Sequence, residues 1–304
     1  MIRRLVAPAG KWLRDSLLDA AFAIELLGNQ RAASNDGIDP LQHTRTRTVN
    51  QILATLRRQP SKLLQCRYAR EVIAAERSRQ LIDRARLRRA DGTSNIATNA
   101  IEYNIDGAIT AAAFDRPSIM VNVVSSIERV WKNISALDVL SVGPRSEIEI
   151  FSILAAGFDP ARVKAIDLFS YSPYVEAGDM HCMPYPDNSF DVVFSGWVLP
   201  YSRNQALAAR ELLRVCRDGA VIAVACDYGD ETKRDLSVLP DATFFQSTEQ
   251  LLSLFEGHVS KIFFRHEPEQ PQISMIMVVF DVSKREVAAQ TLPHHSAESL
   301  IGAG

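Results

Sequence analysis

The sequence predicts an α/β protein in which a mostly parallel sheet with a terminal antiparallel hairpin follows an α-helical N-terminal region. Three observations indicate this fold class. Helical periodicity dominates the first 115 residues, short β-rich runs alternate with helical segments from residue 138 onward, and two β-rich runs near the end are separated only by a proline-bounded loop. Because alternating strands and helices favour parallel pairing, we expect a helical region over 1–116, an α/β domain over 117–287 and a loose tail over 288–304.

Composition restricts the class of protein. The chain has 304 residues, 47% of them hydrophobic and 23% charged, with a net charge of −2. This mixture is typical of a globular protein with a sizeable core, and the charge provides no overall attraction to nucleic acid or membranes. The four cysteines form no CxxC pair, so we expect neither zinc nor disulfides, and a cytoplasmic location. The apolar runs are too short to span a membrane, and the N-terminus, without a complete signal-peptide pattern, is expected to belong to the fold.

The N-terminal region is predicted to be helical over 11–27, 49–58 and 61–90, with Gly28 ending the first helix and a turn-rich break over 35–40. Between Arg57 and Arg89 stand eleven basic and three acidic residues, an excess of eight positive charges. A charge run on a helix is usually a solvated face. Tyr68 is its only aromatic residue, which disfavours nucleic-acid stacking. Docking on an anionic polymer or a partner enzyme stays open.

The α/β region predicts an ordered series of elements. A helix starting near Asp115 and Pro117 leads into the sheet. Strands are expected at 139–142, 163–166, 192–195 and 221–225, helices at 146–156, 204–216 and 248–256, and a hairpin at 261–265 and 274–281. Ser146 and Glu149 have the spacing of a capping box, Gly157 is expected to end their helix, and residues 217–219 are expected to form a turn before the strand that begins near residue 220.

Four short motifs accompany these strands. They are Asp138-Val-Leu-Ser-Val-Gly143, Ile166-Asp167, Gly178-Asp179 and Pro186-Asp-Asn-Ser-Phe-Asp191-Val-Val. Open α/β sheets bind ligands at the carboxyl ends of their strands. A tight turn at Gly143 would present backbone N–H groups and a helix N-terminus to an anion. Asp167 stands where a carboxylate accepts hydrogen bonds from ribose hydroxyls, with a strand-end cap as its alternative role. Asp191 is expected to cap a turn or strand edge.

The order and spacing of these motifs resemble the class I methyltransferases that use S-adenosylmethionine, within the small-molecule, ubiquinone-biosynthesis-like family also called methyltransferase type 11. The most specific piece is Gly178-Asp-Met-His-Cys-Met-Pro-Tyr-Pro-Asp-Asn-Ser-Phe-Asp-Val-Val. The resemblance implies a Rossmann-like sheet, S-adenosylmethionine as cofactor, and an Asp179 that faces the adenine amine. The positions expected to contact the cofactor are Val142, Gly143, Pro144, Arg145, Asp167, Leu168, Gly178, Asp179, Met180, Ser195, Gly196 and Trp197.

The first loop departs from the family pattern. The family usually has an acidic residue two places before the first glycine and a glycine-rich turn, whereas this chain has Ser141 and then Gly143-Pro-Arg-Ser-Glu147. Arg145 is a candidate partner for the cofactor carboxylate, and Glu147 is a candidate to act within the loop. The remaining motifs favour a working variant over a degenerate site.

A second departure lies between Asp167 and Asp179. The family normally fits a helix there, but Pro173 predicts an irregular loop or at most one helical turn. Tyr171 and Tyr174 become candidates for lining the adenine pocket, whose walls would then differ from those of the family.

The resemblance implies methyl transfer to a small molecule or saccharide, and we expect an in-line O-methylation. His181 and Tyr201 are the candidate bases for a hydroxyl acceptor, and the absence of a clustered Asp/His set disfavours a metal. The N-terminal helices are expected to form a lid, an acceptor-selecting surface or a homodimer interface. The alternative is a catalytically silent scaffold that binds through the basic helix 57–89. One open cavity facing both Asp167 and Asp179 would distinguish the enzyme from the scaffold. An NAD-binding protein is disfavoured because G-x-G-x-x-G is absent.

Overall fold

The fold was analysed in a computed structural model, which describes residues 60–90, 95–110, 116–228, 241–268 and 275–285. The helices predicted over 11–27 and 49–58, with the break between them, and the tail over 288–304 lie outside the described residues. In the described part of the chain, no helix is both long and apolar enough to cross a membrane.

The prediction of one continuous helix over 61–90 is wrong. A 3-10 turn, Pro60–Gln65, is followed by helix α1, Arg67–Leu81, and by a two-residue strand β1, Arg88–Arg89. Strand β1 pairs with Phe169–Ser170 of the domain, and the Arg88 guanidinium donates hydrogen bonds to Ser170 Oγ at 2.9 Å and to the Val175 carbonyl at 3.0 Å. These long-range partners outweigh helix propensity there. Helix α2, Ala100–Thr110, comes next.

The remaining elements have bounds close to those predicted. The helices are α3 Ser118–Ser125, α4 Glu128–Asn133, α5 Glu147–Ala156, α6 Gln205–Val215 and α7 Thr248–Ser253. The strands are β2 Val139–Val142, β3 Val163–Asp167, β4 Phe169–Ser170, β5 Glu176–Ala177, β6 Phe190–Gly196, β7 Cys216–Asp227, β8 Val259–His266 and β9 Met275–Val282. The helix expected from residue 117 is interrupted because Ile127 has extended backbone angles.

A seven-stranded sheet lies at the centre of the described residues, in the order β5-β3-β2-β6-β7-β9-β8. The pairs from β5 to β7 are parallel, and β9 is antiparallel to both of its neighbours. Residues alternate along β6, so that Val193 packs on one face of the sheet and Val192 and Phe194 on the other. Both faces are therefore buried, as is usual for parallel sheets. The predicted fold class is confirmed.

Of three predictions about local structure, the capping box and the turn over 217–219 are wrong and the role of Asp191 is confirmed. Ser146 precedes α5 but makes no side-chain cap. Glu149, its expected reciprocal partner, hydrogen-bonds Ser141 on the neighbouring strand, so the predicted capping box does not form. Residues 217–219 belong to β7 rather than to a turn before it, and a register shift between Phe190 and Val192 accommodates them. Asp191 does cap a strand edge, since it accepts the Asp138 backbone N–H at 2.9 Å.

Candidate active site

Two adjoining cavities lie at the carboxyl ends of β2, β3 and β6. Counting space open to solvent, they enclose about 660 Å³ and about 490 Å³. The larger, here called the polar cavity, is lined by Ser78, Asn104, Gly107, Ala108, Arg116, Pro117, Gly143, Pro144, Arg145, Ser146, Ile148, Glu149, Gly196, Trp197 and Tyr201. The smaller, the apolar cavity, is lined by Ile96, Ala100, Asn104, Val142, Gly143, Arg145, Ile166, Asp167, Leu168, Gly178, Met180, Trp197, Val198 and Tyr201.

Most of the residues proposed from the sequence meet at these cavities. The ones that line them are Val142, Gly143, Pro144, Arg145, Asp167, Leu168, Gly178, Met180, Gly196, Trp197 and Tyr201. Asp179, His181 and Ser195 line neither cavity, so neither of the two cavities faces both Asp167 and Asp179 as expected for the enzyme. Ser195 is fully buried, and its hydroxyl has no hydrogen-bond partner among the described residues.

The Asp167 carboxylate opens into the apolar cavity. One oxygen, Oδ2, accepts the Arg145 backbone N–H at 2.8 Å, while Oδ1 has only a long contact of 3.5 Å with the Phe169 N–H. Burial raises the pKa of Asp167 to about 6, against the opposing effect of these backbone hydrogen bonds. The carboxylate therefore stabilises the loop with one oxygen and retains hydrogen-bonding capacity on the other.

The first loop does not offer the free backbone donors that were expected. The Gly143 N–H donates to the Ile166 carbonyl at 2.8 Å, the Arg145 N–H to Asp167, and the Ser146 N–H to the Pro144 carbonyl. Pro144 has no N–H. Because the protein itself uses these donors, an anion at this turn must be bound by a side chain.

Arg145 provides the positive charge at this turn. Its side chain lines both cavities, and its backbone has φ +48°, a left-handed conformation that ordinary residues adopt only at a cost of about 1 kcal/mol or more. Gly143 also has positive φ, and a Cβ there would lie 2.5 Å from Val198 Cγ2. The loop is therefore held in a tight shape that turns the guanidinium toward the cavity.

Glu149 is a cavity residue that the sequence analysis did not assign to the site. It projects from the first turn of α5 to β2, where its Oε1 accepts the Ser141 hydroxyl at 2.5 Å. The residue is only 2% exposed and lines the polar cavity. Burial raises its pKa to about 7, against the opposing Ser141 hydrogen bond. The carboxylate thus lies beside the position at which the family usually has its acidic residue.

Glu147 is not free to act in the loop. Its carboxylate forms a buried bidentate ion pair with Arg77 of α1, with Nη2 to Oε1 at 2.6 Å, and also accepts the Ser172 hydroxyl at 2.6 Å.

The two candidate tyrosines make contacts in the same region. Tyr171 hydrogen-bonds Ser78 Oγ at 3.0 Å, and Tyr174 packs edge-on against Phe151. Neither tyrosine lines the two cavities, since these contacts turn both rings away. The irregular loop that Pro173 predicted is present, as β4 and β5 with no helix between them.

His181 lies in the protein interior, between two hydrogen-bonding partners. Its Nδ1 is 2.5 Å from Asp179 Oδ1, and its Nε2 is 2.7 Å from Ser202 Oγ. Burial acts to raise the pKa of Asp179, but the His181 hydrogen bonds prevail and lower it. As placed, the histidine cannot reach an acceptor in the cavities, and the Asp179 carboxylate is directed to His181 rather than to an adenine.

Aromatic and charged side chains form the rim shared by the cavities. The Arg116 guanidinium lies 3.8 Å from the Trp197 ring centre, and Asp227 accepts hydrogen bonds from both Arg116 at 2.9 Å and Trp197 Nε1 at 3.0 Å. Burial raises the pKa of Tyr201 to about 12, so its hydroxyl keeps its proton at neutral pH. Tyr201 is suited to donating a hydrogen bond rather than to removing a proton.

Helix α2 supplies a wall that no sequence motif indicated. Ala100, Asn104, Gly107 and Ala108 line the cavities from this helix. Gly107 lets the helix approach closely, since a Cβ there would lie 3.0 Å from the Arg145 guanidinium. Small residues at spacings of three and four were visible in the sequence, but this pattern is typical of any helix packed against a neighbour.

The basic residues of the 57–89 segment are largely used within the molecule. Arg77 pairs with Glu147 and Arg88 binds the β4–β5 loop, while Arg84 and Arg89 both pair with Glu102 of α2. The interpretation of this run as a solvated face therefore fails for its buried members, Arg70 and Arg77. It holds for Arg67, Arg79 and Arg84, whose side chains are more than half exposed.

Comparison with known proteins agrees with this geometry. Residues 152–224 match the family described as "Methyltransferase domain". This segment is similar to a methyltransferase domain. The chain is 40% identical over 65 residues to a malonyl-[acyl-carrier protein] O-methyltransferase of Halorhodospira halophila, covering 21% of each chain. It is 27% identical over 148 residues to the ubiquinone/menaquinone biosynthesis C-methyltransferase UbiE of Coxiella burnetii, covering 48% of this chain and 57% of the relative. The chain thus spans only part of the length of these relatives.

Solved methyltransferases were compared with the domain as well. The N-methyltransferase NodS of Bradyrhizobium japonicum, in complex with S-adenosylhomocysteine, is 13% identical, covers 55% of this chain and 86% of its own, and gives a TM-score of 0.41. The 1,6-didemethyltoxoflavin-N1-methyltransferase of Burkholderia thailandensis is also 13% identical, covers 65% and 95%, and gives a TM-score of 0.44.

Proposed function

We propose that this chain is an enzyme that transfers the methyl group of S-adenosylmethionine to a hydroxyl of a small molecule or saccharide. The observation that carries the proposal is the pair of adjoining cavities, with Asp167 in the apolar one and Arg145 between the two. The match to the methyltransferase domain family supports the same reaction. We propose a hydroxyl acceptor for this chain, whereas the relatives named above are O-, C- and N-methyltransferases.

The lining residues fit the two halves of the cofactor. Ile166, Leu168 and Met180 provide apolar walls for a purine, and the weakly held oxygen of Asp167 would accept the ribose hydroxyls. The Arg145 guanidinium would bind the carboxylate of the amino-acid half in a charge-assisted pair. Gly178 permits close approach of the chain here, since a Cβ would lie 2.5 Å from Ile166 Cδ1.

When bound, S-adenosylmethionine supplies a methyl group already activated by the sulfonium. What the chain must add is alignment of the acceptor for in-line attack and exclusion of competing water. The protonated Tyr201 hydroxyl would orient an acceptor oxygen, and Trp197, fixed by Asp227 and Arg116, would limit the acceptor's approach. We propose that α2 selects the acceptor, because Asn104 and Gly107 bring the N-terminal region to the cavities.

The first test is isothermal titration with S-adenosylmethionine and S-adenosylhomocysteine. We expect micromolar binding that an Asp167→Ala change reduces strongly. Asp187→Ala is the matched control, because this carboxylate is exposed and pairs only with Arg214 among the described residues. If the folded wild-type chain binds neither nucleoside, or if both variants behave alike, the proposal is wrong and the scaffold alternative becomes the better one. Binding specific to Asp167 justifies a screen of hydroxyl acceptors.

A further inference from the structure

The polar cavity contains a buried carboxylate that the protein does not neutralise. Glu149 is 2% exposed, and the only hydrogen bond found for its side chain among the described residues is the one from Ser141. No arginine or lysine of the described chain forms an ion pair with it. A buried carboxylate with a single neutral donor is unfavourable, which is consistent with its pKa of about 7. A ligand that brings a cation would satisfy it.

The surroundings of Glu149 define what kind of ligand this is. The same cavity is lined by the Arg145 guanidinium, whose N–H groups have no acceptor among the described residues. A cationic and an anionic side chain facing one cavity match a zwitterion, and the amino-acid half of S-adenosylmethionine carries both an ammonium and a carboxylate. Gly196 allows Met120 and the Glu149 carboxylate to pack close to the end of β6, since a Cβ there would collide with Met120 and lie 3.4 Å from Glu149 Oε2.

We propose that Glu149 receives the ammonium group of the cofactor's amino-acid half, providing from helix α5 the carboxylate that related domains usually carry two places before the first glycine. Ser141 occupies that strand position here and donates its hydroxyl to the relocated carboxylate. The inference rests on the proposed function, and it explains why the first motif lacks its acidic residue while the other motifs persist.

The test compares two ligands that share a nucleoside half. S-adenosylhomocysteine has the amino-acid half, whereas 5′-methylthioadenosine lacks it. We expect Glu149→Gln, which preserves shape, to weaken S-adenosylhomocysteine binding about tenfold to a hundredfold, the effect of losing a charge-assisted hydrogen bond. Binding of 5′-methylthioadenosine should change less than about twofold on the same scale.

A relocation variant provides the rescue. In Ser141→Asp/Glu149→Ala, the carboxylate returns to the strand while the space that Glu149 filled is vacated, and we expect S-adenosylhomocysteine affinity to recover most of what Glu149→Ala loses. Circular dichroism and 5′-methylthioadenosine binding report whether each variant is folded. Equal losses for both ligands, or unchanged S-adenosylhomocysteine binding in Glu149→Gln, would overturn this inference alone. Failure of the wild type to bind either ligand would overturn the proposed function instead.

The pH dependence offers an independent readout. The groups that face the carboxylate are Ser141 from β2, Gly196 from β6 and Met120 from α3, with Asp167 repelling its charge and Arg116 attracting it. Because the ammonium prefers an ionised partner, the ratio of the two ligands' affinities should rise as pH increases through about 7. In Glu149→Gln this rise should disappear. A rise that persists in that variant would assign it to another group.

Discussion

At the scale of single residues, we propose that the Arg145 side chain binds an anion where a glycine-rich turn would use its backbone N–H groups. The backbone N–H groups of the turn after β2 already donate hydrogen bonds to Ile166 and Asp167. A ligand therefore cannot bind to them as it would to the N–H groups of a glycine-rich loop. A guanidinium is an adequate substitute, since it pairs with a carboxylate through two parallel hydrogen bonds.

We therefore expect Arg145→Gln to weaken S-adenosylhomocysteine binding by about tenfold or more, because a charge-assisted pair is lost, and to leave 5′-methylthioadenosine binding nearly unchanged. Titration calorimetry measures both. Arg162→Gln is the control, since Arg162 pairs with Asp138 at the other end of the strands. An equal loss for both nucleosides would mean that Arg145 organises the loop rather than binding the amino-acid half.

The role of His181 follows from its two hydrogen-bonding partners. Both ring nitrogens are occupied, one by Asp179 and the other by Ser202, so the ring connects the Gly178-Asp179 segment to the turn that carries Tyr201. This is a positioning role, reached through buried hydrogen bonds rather than through contact with a substrate.

We expect His181→Phe to reduce the free energy of unfolding by about 1–3 kcal/mol, because it leaves buried polar partners unsatisfied. Urea unfolding measures this change. S-adenosylhomocysteine affinity should fall far less than in Asp167→Ala. The comparison is His258→Phe, which removes the hydrogen bond between a partly buried imidazole and the Ser283 carbonyl at the far end of the sheet. A variant with full stability and no methyl transfer would restore His181 as a catalytic base.

At the scale of elements, α1 and α5 are joined by the Arg77–Glu147 ion pair. Both side chains are almost fully buried, and Ser172 adds a third partner from the loop after β4. The pair therefore joins the N-terminal region to the start of the helix that carries Glu149. Since a buried pair is costly to break but not always costly to replace, it sets the position of α5 rather than adding net stability.

We expect Arg77→Met to lower the free energy of unfolding by about 3–5 kcal/mol, the range for leaving one buried charge unpaired. The double variant Arg77→Met/Glu147→Leu should recover much of this loss in chemical denaturation. If the free energy of unfolding recovers but S-adenosylhomocysteine binding does not, the ion pair is needed to position α5 for binding and not only to keep the protein folded. Additive losses in the double variant would contradict the coupling.

At the scale of the whole molecule, two carboxyl groups make the ligand-free protein sensitive to pH. The pKa of Asp167 is raised from 3.8 to about 6 and that of Glu149 from 4.5 to about 7, in both cases mainly by burial. The folded state therefore binds more protons than the unfolded state between about pH 4 and 7. By linkage, these groups lower the stability of the free protein as pH rises through that window.

A ligand that binds only when both carboxylates are ionised has the opposite effect, because the stabilisation it provides increases as pH rises. We expect the stabilisation by a fixed excess of S-adenosylhomocysteine, measured as the shift in Tm, to be larger at pH 8 than at pH 5.5, by an amount of the order of 5 °C. The double variant Asp167→Asn/Glu149→Gln should show little difference between the two pH values. A shift that is larger at the lower pH in the wild type would contradict ionised carboxylates in the binding-competent state.

Within the α/β region, the sequence alone determined the order of the main strands and helices, because periodicity and turn residues are local signals. It also located the residues at the carboxyl ends of the strands, since parallel topology brings such positions to one edge, and Asp167, Arg145 and Tyr201 do line the cavities. The methyltransferase resemblance was likewise readable from short motifs in a fixed order.

Only the tertiary structure decided which of these groups are available to a ligand. Whether a loop amide is free depends on an acceptor in another strand, and whether Asp179 faces a cavity depends on His181. The position of α2 over the site and the meeting of Glu149 with Ser141 arise from packing between distant segments. Such partners leave no periodicity or motif in the chain, because hydrogen bonding and burial are satisfied in space rather than along the sequence.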